Sequence, residues 1–167
     1  MKNFEDLLFL DEIVLQVKIA RKAVELLETT KTTFDKIEVW GSIQSILVTA
    51  GNVSKILWPS DNKYKSRGER LRELLKIDKD NILSNRKFRN HFEHYDSRIE
   101  EWFNNQPSAV YIDLAMNPSF SGLDLNTHRG YNSFNNTLQF REEILDLNHL
   151  LEEMEKILES CKPYTLI

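Results

Sequence analysis

Two histidines and one arginine lie close together in the segment Arg89-Asn90-His91-Phe92-Glu93-His94. Further basic residues flank this segment: Arg86, Lys87 and Arg98. Histidine is the side chain best suited to moving protons near neutral pH, and arginine can hold a phosphate through a planar fork of donors. This combination of residue types is suited to phosphodiester chemistry.

The spacing of apolar residues predicts where these side chains point. Apolar residues from Phe88 to Trp102 alternate four and three apart, which indicates one helix with a core stripe centred near Phe92. At about 100° per residue, His94 falls on the side opposite the stripe, about 140° around from Arg89. One straight helix therefore does not bring the two side chains to one phosphate. Either the helix distorts there, or two copies of the chain share the site.

A simpler interpretation of the segment also remains open. Arg89 and Glu93 are four residues apart, so they can form an ordinary helix-surface ion pair worth a few tenths of a kcal/mol, with His94 merely solvated. His91 lies at the edge of the core stripe and is interpreted as structural. The other two histidines, His128 and His149, are predicted to lie at the surface.

Four long helices are predicted to position this segment. The first covers about 6–28, and the second follows a threonine-rich break at 29–33 and ends at Trp58. The third runs from Asp78 or Asp80 to Asn104, and the fourth from Arg141 to Cys161. A short helix through Leu75 lies between the second and the third. Residues 105–140 break the helical pattern and contain β-prone pieces at 109–112 and 137–140. The predicted fold class is an all-α, up-and-down bundle of four to five helices. A small irregular or β-hairpin insertion precedes the last helix, and residues 1–167 form a single domain.

Charge is distributed unevenly along the chain, although the net charge is only −4. Residues 63–98 hold 11 basic and 6 acidic side chains, a local balance of +5, whereas the rest of the chain has a balance of −9. A polyanion could bind one side of such a molecule. A lysine-rich loop followed by an ordinary solvated helix face would give the same count.

Several classes of protein are excluded by composition and motifs. The chain has one cysteine, Cys161, so it forms no intramolecular disulfide and carries no zinc signature. Acidic residues near the N-terminus and the absence of a run of about 20 apolar residues argue against a signal peptide and a membrane span. A cytoplasmic protein is expected. Patterns typical of serine hydrolases, zinc peptidases and P-loops are absent, so no metal and no cofactor is expected, and Gly41 and Gly51 are interpreted as points of close helix approach.

The segment Arg89–His94 resembles the R-x4-6-H motif of the HEPN superfamily, with four intervening residues and a polar residue directly after the arginine. Leu-Trp-Pro-Ser at 57–60 and Arg-Gly-Glu-Arg-Leu-Arg at 67–72 are also similar to bacterial HEPN-like proteins. Members of that superfamily are helical bundles of about this size with the motif on a late helix. The resemblance therefore covers most of the chain.

The resemblance implies a metal-independent endoribonuclease that acts as a homodimer, in which the motif helices of two chains meet. Arg89 would stabilise the scissile phosphate of the RNA, and Asn90 would orient groups by hydrogen bonds. His94 would act as general base or acid on the 2′-hydroxyl and the leaving oxygen, giving a 2′,3′-cyclic phosphate. The flanking cations Arg86, Lys87 and Arg98 would bind the nucleic acid.

The resemblance also suggests partners and an alternative. A toxin or defence protein is expected, and a nucleotidyltransferase-type antitoxin is a candidate partner. Some toxin members carry a tyrosine two residues after the histidine, whereas here Tyr95 follows His94 directly and is predicted to lie on the apolar stripe, so tyrosine modification is not expected. The alternatives are a non-catalytic HEPN-like module that binds nucleotide, RNA or a nucleotidyltransferase partner, and a helical interaction protein without a ligand.

Overall fold

Two long helices form the centre of the fold. The computed structural model describes residues 4–30, 33, 35–105, 110–121 and 126–165. Helix α1 covers Phe4–Thr30 and α2 covers Lys36–Leu57, and these two helices share the most extensive contact in the fold. The carboxylate of Asp35 caps α2 by accepting hydrogen bonds from the N–H groups of Ile37 and Glu38. Of the helices described, none combines the length and apolar character that crossing a bilayer requires.

The core of α1 and α2 follows the predicted spacing. Apolar side chains three and four residues apart face inward on both helices, which confirms the expectation for this part of the chain. The buried residues with this spacing are Leu10, Ile13, Val17, Ala20, Leu27, Val39, Ile43, Ile46, Ala50, Val53 and Leu57.

The middle of the chain contains shorter helices than the spacing suggested. Helix α3 covers Lys65–Leu75, and the predicted third long helix is divided into α4, Lys87–Glu93, and α5, Tyr95–Asn105. The predicted start near Asp78 or Asp80 is wrong, because the carboxamide of Asn85 accepts a hydrogen bond from the Lys87 N–H where α4 begins. Short 3₁₀ helices cover Asn62–Tyr64, Ile82–Ser84 and Lys162–Tyr164.

A four-stranded sheet follows α5. Its strands are β1, Ala115–Met116; β2, Arg129–Asn132; β3, Thr137–Phe140; and β4, Glu143–Asp146, with the short helix α6, Pro118–Ser121, after β1. The strand order is β1-β2-β3-β4, with β1 parallel to β2 and the other pairs antiparallel. The piece predicted at 137–140 is β3. At the other predicted piece, Ala109 lies outside the described residues and Ile112 makes an isolated bridge to Thr127.

The predicted all-α class is therefore wrong, because the described residues hold seven α-helices and a four-stranded mixed sheet. The error lies largely in residues 141–146, which were assigned to the last helix because Ile144 is in register with Leu147 and Leu151. Arg141 has a φ of 54° and turns the chain back, so that β4 pairs with β3. The last helix, α7, begins only at Leu147 and ends at Cys161.

Candidate functional site

Helix α4, which carries the Arg89–His94 segment, is packed between α2 and the sheet. The ring of Phe92 stacks on Trp40 of α2 with the centroids 6.1 Å apart. On the other side, the His91 ring lies parallel to Phe140 of β3, with centroids 3.9 Å apart and planes within 9°. The sheet, of which the sequence predicted only a small irregular or β-hairpin insertion, thus positions the helix that carries the motif.

Arg89 is held by close packing against α2. Its side chain is 13% exposed and crosses Gly51, where a Cβ atom would lie 2.1 Å from Arg89 Cδ. Nη2 donates to Glu93 Oε1, so the ion pair considered in the simpler interpretation is present. Nε is buried and has no hydrogen-bond partner among the described residues. The guanidinium is therefore fixed in place, and Glu93 occupies part of its donor set.

The chain breaks its helical path at His94. This residue follows the end of α4 with φ −105° and ψ 39°, and α5 begins at the next residue. The His94 N–H still donates to the Asn90 carbonyl at 3.0 Å, and the His94 carbonyl accepts from Arg98 N–H at 3.2 Å. The helix is thus distorted at His94, which is the first of the two alternatives that the sequence left open. The other alternative was a site shared by two copies of the chain. The side chains of Asn90 and His94 are both exposed.

The three residues predicted to bind nucleic acid each have an intramolecular partner. Arg86 donates to the backbone carbonyl at the end of α2 at 3.3 Å, and Lys87 Nζ lies 2.8 Å from a carboxylate oxygen of Glu143. Arg98 Nη1 lies 2.6 and 2.8 Å from the two carboxylate oxygens of Glu101. Contact of these residues with nucleic acid stays a prediction, and RNA would have to compete with these partners.

A pocket of about 460 Å³ opens beside Arg89, between α2, α4 and β4. Its charged side chains include three cations, and much of the remaining wall is aliphatic. The Ser54 hydroxyl in this wall is buried without a hydrogen-bond partner among the described residues. The lining includes Arg86, Lys87, Arg89, Leu47, Leu83 and Leu145.

His128 is fully buried, so its predicted surface position is wrong. Its ring lies against Trp102, Tyr111 and Phe140, with centroids 5.0 to 5.5 Å away. Neither ring nitrogen has a hydrogen-bond partner among the described residues. Burial lowers the pKa of His128 to about 4, so the imidazole is neutral at pH 7. A histidine in a stretch rich in turn residues gave no local signal of this burial.

His91 is also buried, at 6% exposure. Burial lowers its pKa, and the nearby cations Arg98 and Lys87 lower it further, against the opposing effect of Glu143. Its Nε2 lies 3.6 Å from a carboxylate oxygen of Glu143. A buried, stacked imidazole fits the structural interpretation of His91. His149 is exposed, as predicted.

A buried ion pair beside α4 was not found by sequence reasoning. Arg129 of β2 donates from Nε and Nη2 to the two carboxylate oxygens of Asp113, at 2.8 and 2.5 Å. The guanidinium also lies 5.4 Å from the Phe92 ring centroid and 5.8 Å from that of Tyr95. Tyr95 is 52% exposed, so its predicted place on the core stripe is wrong. Asp113 and Arg129 are 16 residues apart, in a part of the chain that was predicted to be largely irregular. Only the folded sheet brings them together.

Comparisons with other proteins leave the chain without an identified relative. No protein-family model, curated protein or solved structure matches it. Within the described ranges, no group of three or more histidine, cysteine, aspartate or glutamate side chains is arranged to hold a metal ion.

Proposed function

We propose that this chain is an HEPN-like, metal-independent endoribonuclease in which Arg89, Asn90 and His94 act on RNA. The observation that carries the proposal is the break between α4 and α5 at His94. Because the chain turns there, α5 leaves the line of α4, and the imidazole of His94 is exposed at the corner between the two helices. The break leaves an exposed proton-transfer group at the end of the helix that carries the fixed Arg89 guanidinium.

The proposed reaction needs proton transfer and charge stabilisation only. The imidazole of His94 takes the proton from the ribose 2′-hydroxyl, the 2′-oxygen bonds to the adjacent phosphorus, and the bond to the 5′-oxygen breaks. Arg89 stabilises the charge that develops on the phosphate oxygens, and Asn90 orients the phosphate through its carboxamide. The leaving 5′-oxygen takes up a proton from solvent and the His94 imidazolium returns its proton to solvent, so the products are a 2′,3′-cyclic phosphate and a 5′-hydroxyl.

The site is proposed to be shared by two chains. In one chain, the Arg89 guanidinium is turned toward Glu93 and across α2, whereas the His94 side chain points to solvent. A homodimer in which two α4–α5 breaks meet places His94 of one subunit near the phosphate held by the other. The half-exposed rings of Tyr95 and Phe103 on α5 support such a contact, since exposed aromatic groups often mark interfaces.

Charge around α4 supports a polyanionic substrate. The balance of +5 over residues 63–98 stands against a balance of −9 in the rest of the chain. The pocket at Arg89 is lined by three cations, including Arg89 itself, and by one carboxylate, that of Glu143. Such an asymmetry attracts a polyanion to one side of the molecule. A toxin or defence enzyme of the cytoplasm, with a nucleotidyltransferase-type antitoxin as its candidate partner, fits this activity.

Cleavage of RNA by the purified protein in EDTA tests the proposal. The wild-type chain should cleave, and His94→Ala and Arg89→Ala should each lower the rate by about 100-fold or more. His149→Ala, which removes another exposed imidazole, is the matched control and should cleave like the wild type. Equal cleavage by all four proteins would overturn the site assignment, and products without a cyclic phosphate would overturn the mechanism.

A second candidate function is favoured by one contact. Because Glu93 already pairs with Arg89, the arginine also suits a non-catalytic module that binds RNA, a nucleotide or a nucleotidyltransferase partner. Such a module would bind RNA in EDTA without shortening it, and Arg89→Ala would weaken that binding. The cleavage assay, run beside a filter-binding assay on the same samples, separates the two functions.

A further inference from the structure

Helix α1 carries a second row of apolar side chains, on the side opposite its core face. Leu8, Leu15, Ile19 and Leu26 are 53%, 50%, 39% and 44% exposed. On an ideal helix these four side chains lie within about 40° of one another and face away from Val17, which is fully buried. Four large aliphatic groups in line along one exposed face need a partner surface to be shielded from water.

The spacing of this row is that of a coiled coil. The intervals of seven, four and seven residues place Leu8 and Leu15 at d positions and Ile19 and Leu26 at a positions of a heptad repeat. Two charged residues complete the repeat, with Glu12 at an a position and Lys22 at a d position. The seam from residue 8 to residue 26 is about 27 Å long.

The seam is symmetric about Val17. When a second α1 runs antiparallel with the two-fold axis at that residue, Leu8 faces Leu26 of the partner subunit and Leu15 faces Ile19 of the partner subunit. Each layer then joins an a position to a d position, which is the arrangement of antiparallel coiled coils. A closed, self-complementary contact of this kind is the usual form of a homodimer interface.

The charged layer sets the direction of pairing. In the antiparallel arrangement Glu12 faces Lys22 of the partner subunit, whereas parallel chains would place glutamate against glutamate and lysine against lysine. Lys22 is now 2.7 Å from Glu25 in an exposed pair, and Glu12 accepts a hydrogen bond from Gln16 at 2.7 Å. An exposed ion pair contributes little, so Lys22 can exchange its partner at small cost.

We infer that two copies of this chain pair through α1 as an antiparallel coiled coil, with the Glu12–Lys22 layer fixing the register. This interface goes beyond the proposed nuclease site. Helix α1 packs on α2 and α7, and the α1 seam does not include Arg89 or His94. Chains that use both surfaces have two kinds of two-fold contact, so they assemble beyond the dimer.

Cysteine cross-linking tests the register without reference to RNA. Leu8→Cys and Leu26→Cys chains, mixed and oxidised, should form covalent dimers quickly, because only the antiparallel register brings these positions within disulfide range. Each variant alone should form few. The native thiol of Cys161 does not compete, since it is buried and burial raises its pKa to about 12.

The matched control for cross-linking is Leu26→Cys mixed with Ile37→Cys, because Ile37 is 85% exposed but lies on α2. This control should cross-link at least tenfold more slowly than the test mixture. Equal rates in the two mixtures would overturn the pairing, and faster cross-linking of the single variants alone would indicate parallel helices instead.

A charge exchange tests the polar layer. Glu12→Lys places lysine against lysine and should raise the dissociation constant of the α1 contact about tenfold, measured by sedimentation of samples checked for helicity by circular dichroism. The double variant Glu12→Lys and Lys22→Glu should return to within about threefold of the wild-type value. Equal association of the single variant and the wild type would contradict the proposed layer.

Discussion

The side chain of Arg89 crosses α2 at Gly51, where a Cβ atom would lie 2.1 Å from Arg89 Cδ and 2.6 Å from Nε. Glycine in a helix interior costs about 0.5 to 1 kcal/mol relative to alanine. That cost is offset here because the absence of a side chain at Gly51 lets the Arg89 side chain pack directly on the backbone of α2. The sequence interpretation of Gly51 as a point of close approach is confirmed. Gly41 has open space around its Cα, so the same interpretation is wrong there.

Gly51→Ala should displace Arg89 and lower RNA cleavage at least tenfold, because misplacing a phosphate-binding group by about 1 Å is costly to a reaction. The free energy of unfolding should fall by about 1 kcal/mol, since overpacking outweighs the gain in helix propensity. Both quantities are measured on one preparation, by cleavage in EDTA and by urea unfolding. Gly41→Ala is the control and should be more stable than wild type by about 0.5 kcal/mol with unchanged cleavage. Identical behaviour of the two variants would contradict the role of Gly51.

A mixture of Arg89→Ala and His94→Ala chains should regain RNA cleavage that neither variant has alone. If a site takes Arg89 from one subunit and His94 from the other, a mixed dimer contains one intact site and one site lacking both groups. About half of the chains form mixed dimers at equal concentrations when pairing is random. The mixture should therefore show about a quarter of the wild-type rate. A mixture as inactive as its components would place both residues of a site in one chain.

His128→Phe should make the stability of the protein less sensitive to acid. Histidine binds a proton near pH 6.5 in the unfolded chain, but burial lowers the pKa of folded His128 to about 4. Between these values the unfolded state binds more protons, so the free energy of unfolding falls as the pH drops. Phenylalanine keeps the ring contacts with Trp102 and Phe140 but cannot take up a proton.

Comparing the pH dependence of stability in the wild type and in His128→Phe separates the effect of His128 from that of the other titrating groups. From pH 7 to pH 4.5 the wild type should lose about 2 to 3 kcal/mol more than His128→Phe, measured by urea unfolding at each pH. Parallel losses in the two proteins would mean that His128 is not the buried neutral imidazole described above.

Asp113→Ala should destabilise the fold by about 3 kcal/mol, because it leaves the Arg129 guanidinium buried without its counter-ion. Arg129 is 9% exposed at its side chain, and the pair lies between the sheet and the rings of α4 and α5. The double variant Asp113→Ala with Arg129→Met removes the unpaired charge and should recover about 2 kcal/mol of that loss. Thermal unfolding of the single and double variants measures both effects.

The control for this pair is Lys156→Ala, which removes a surface cation paired with Glu152 and Glu153 on α7 and should change stability by less than about 1 kcal/mol. If the double variant were less stable than Asp113→Ala alone, Arg129 would have to stabilise the fold through its ring contacts rather than through the carboxylate.

Much of the helical core could be predicted because its signal is local. Apolar residues such as Ile13 and Val17 on α1, and Ile43 and Ile46 on α2, recur at intervals of three and four over five or more turns. A pattern of that length fits only an amphipathic helix. The strand at 137–140 was predicted for a similar reason, since Phe140 ends a short β-prone run. The segment Arg89–His94 stood out by residue type alone.

Shorter segments could not be predicted, because partners distant in the sequence decide them. Ile144 fits the helical period of α7, yet it lies in β4 opposite Gln139, because this segment pairs as a strand with β3. Tyr95 fits the core stripe, yet the break at His94 turns it outward. His128 carries no local sign of burial, because its burial comes from rings on α5 and on the sheet.

The sequence by itself determined the two central helices, the residue types of the candidate site and the asymmetry of charge, because these depend on local periodicity and composition. Only the tertiary structure decided that the motif helix ends at Glu93, that Arg89 lies across Gly51 and that a sheet supports α4. Those features depend on packing between elements that are far apart in the chain, where backbone pairing and side-chain volume override local helical preference.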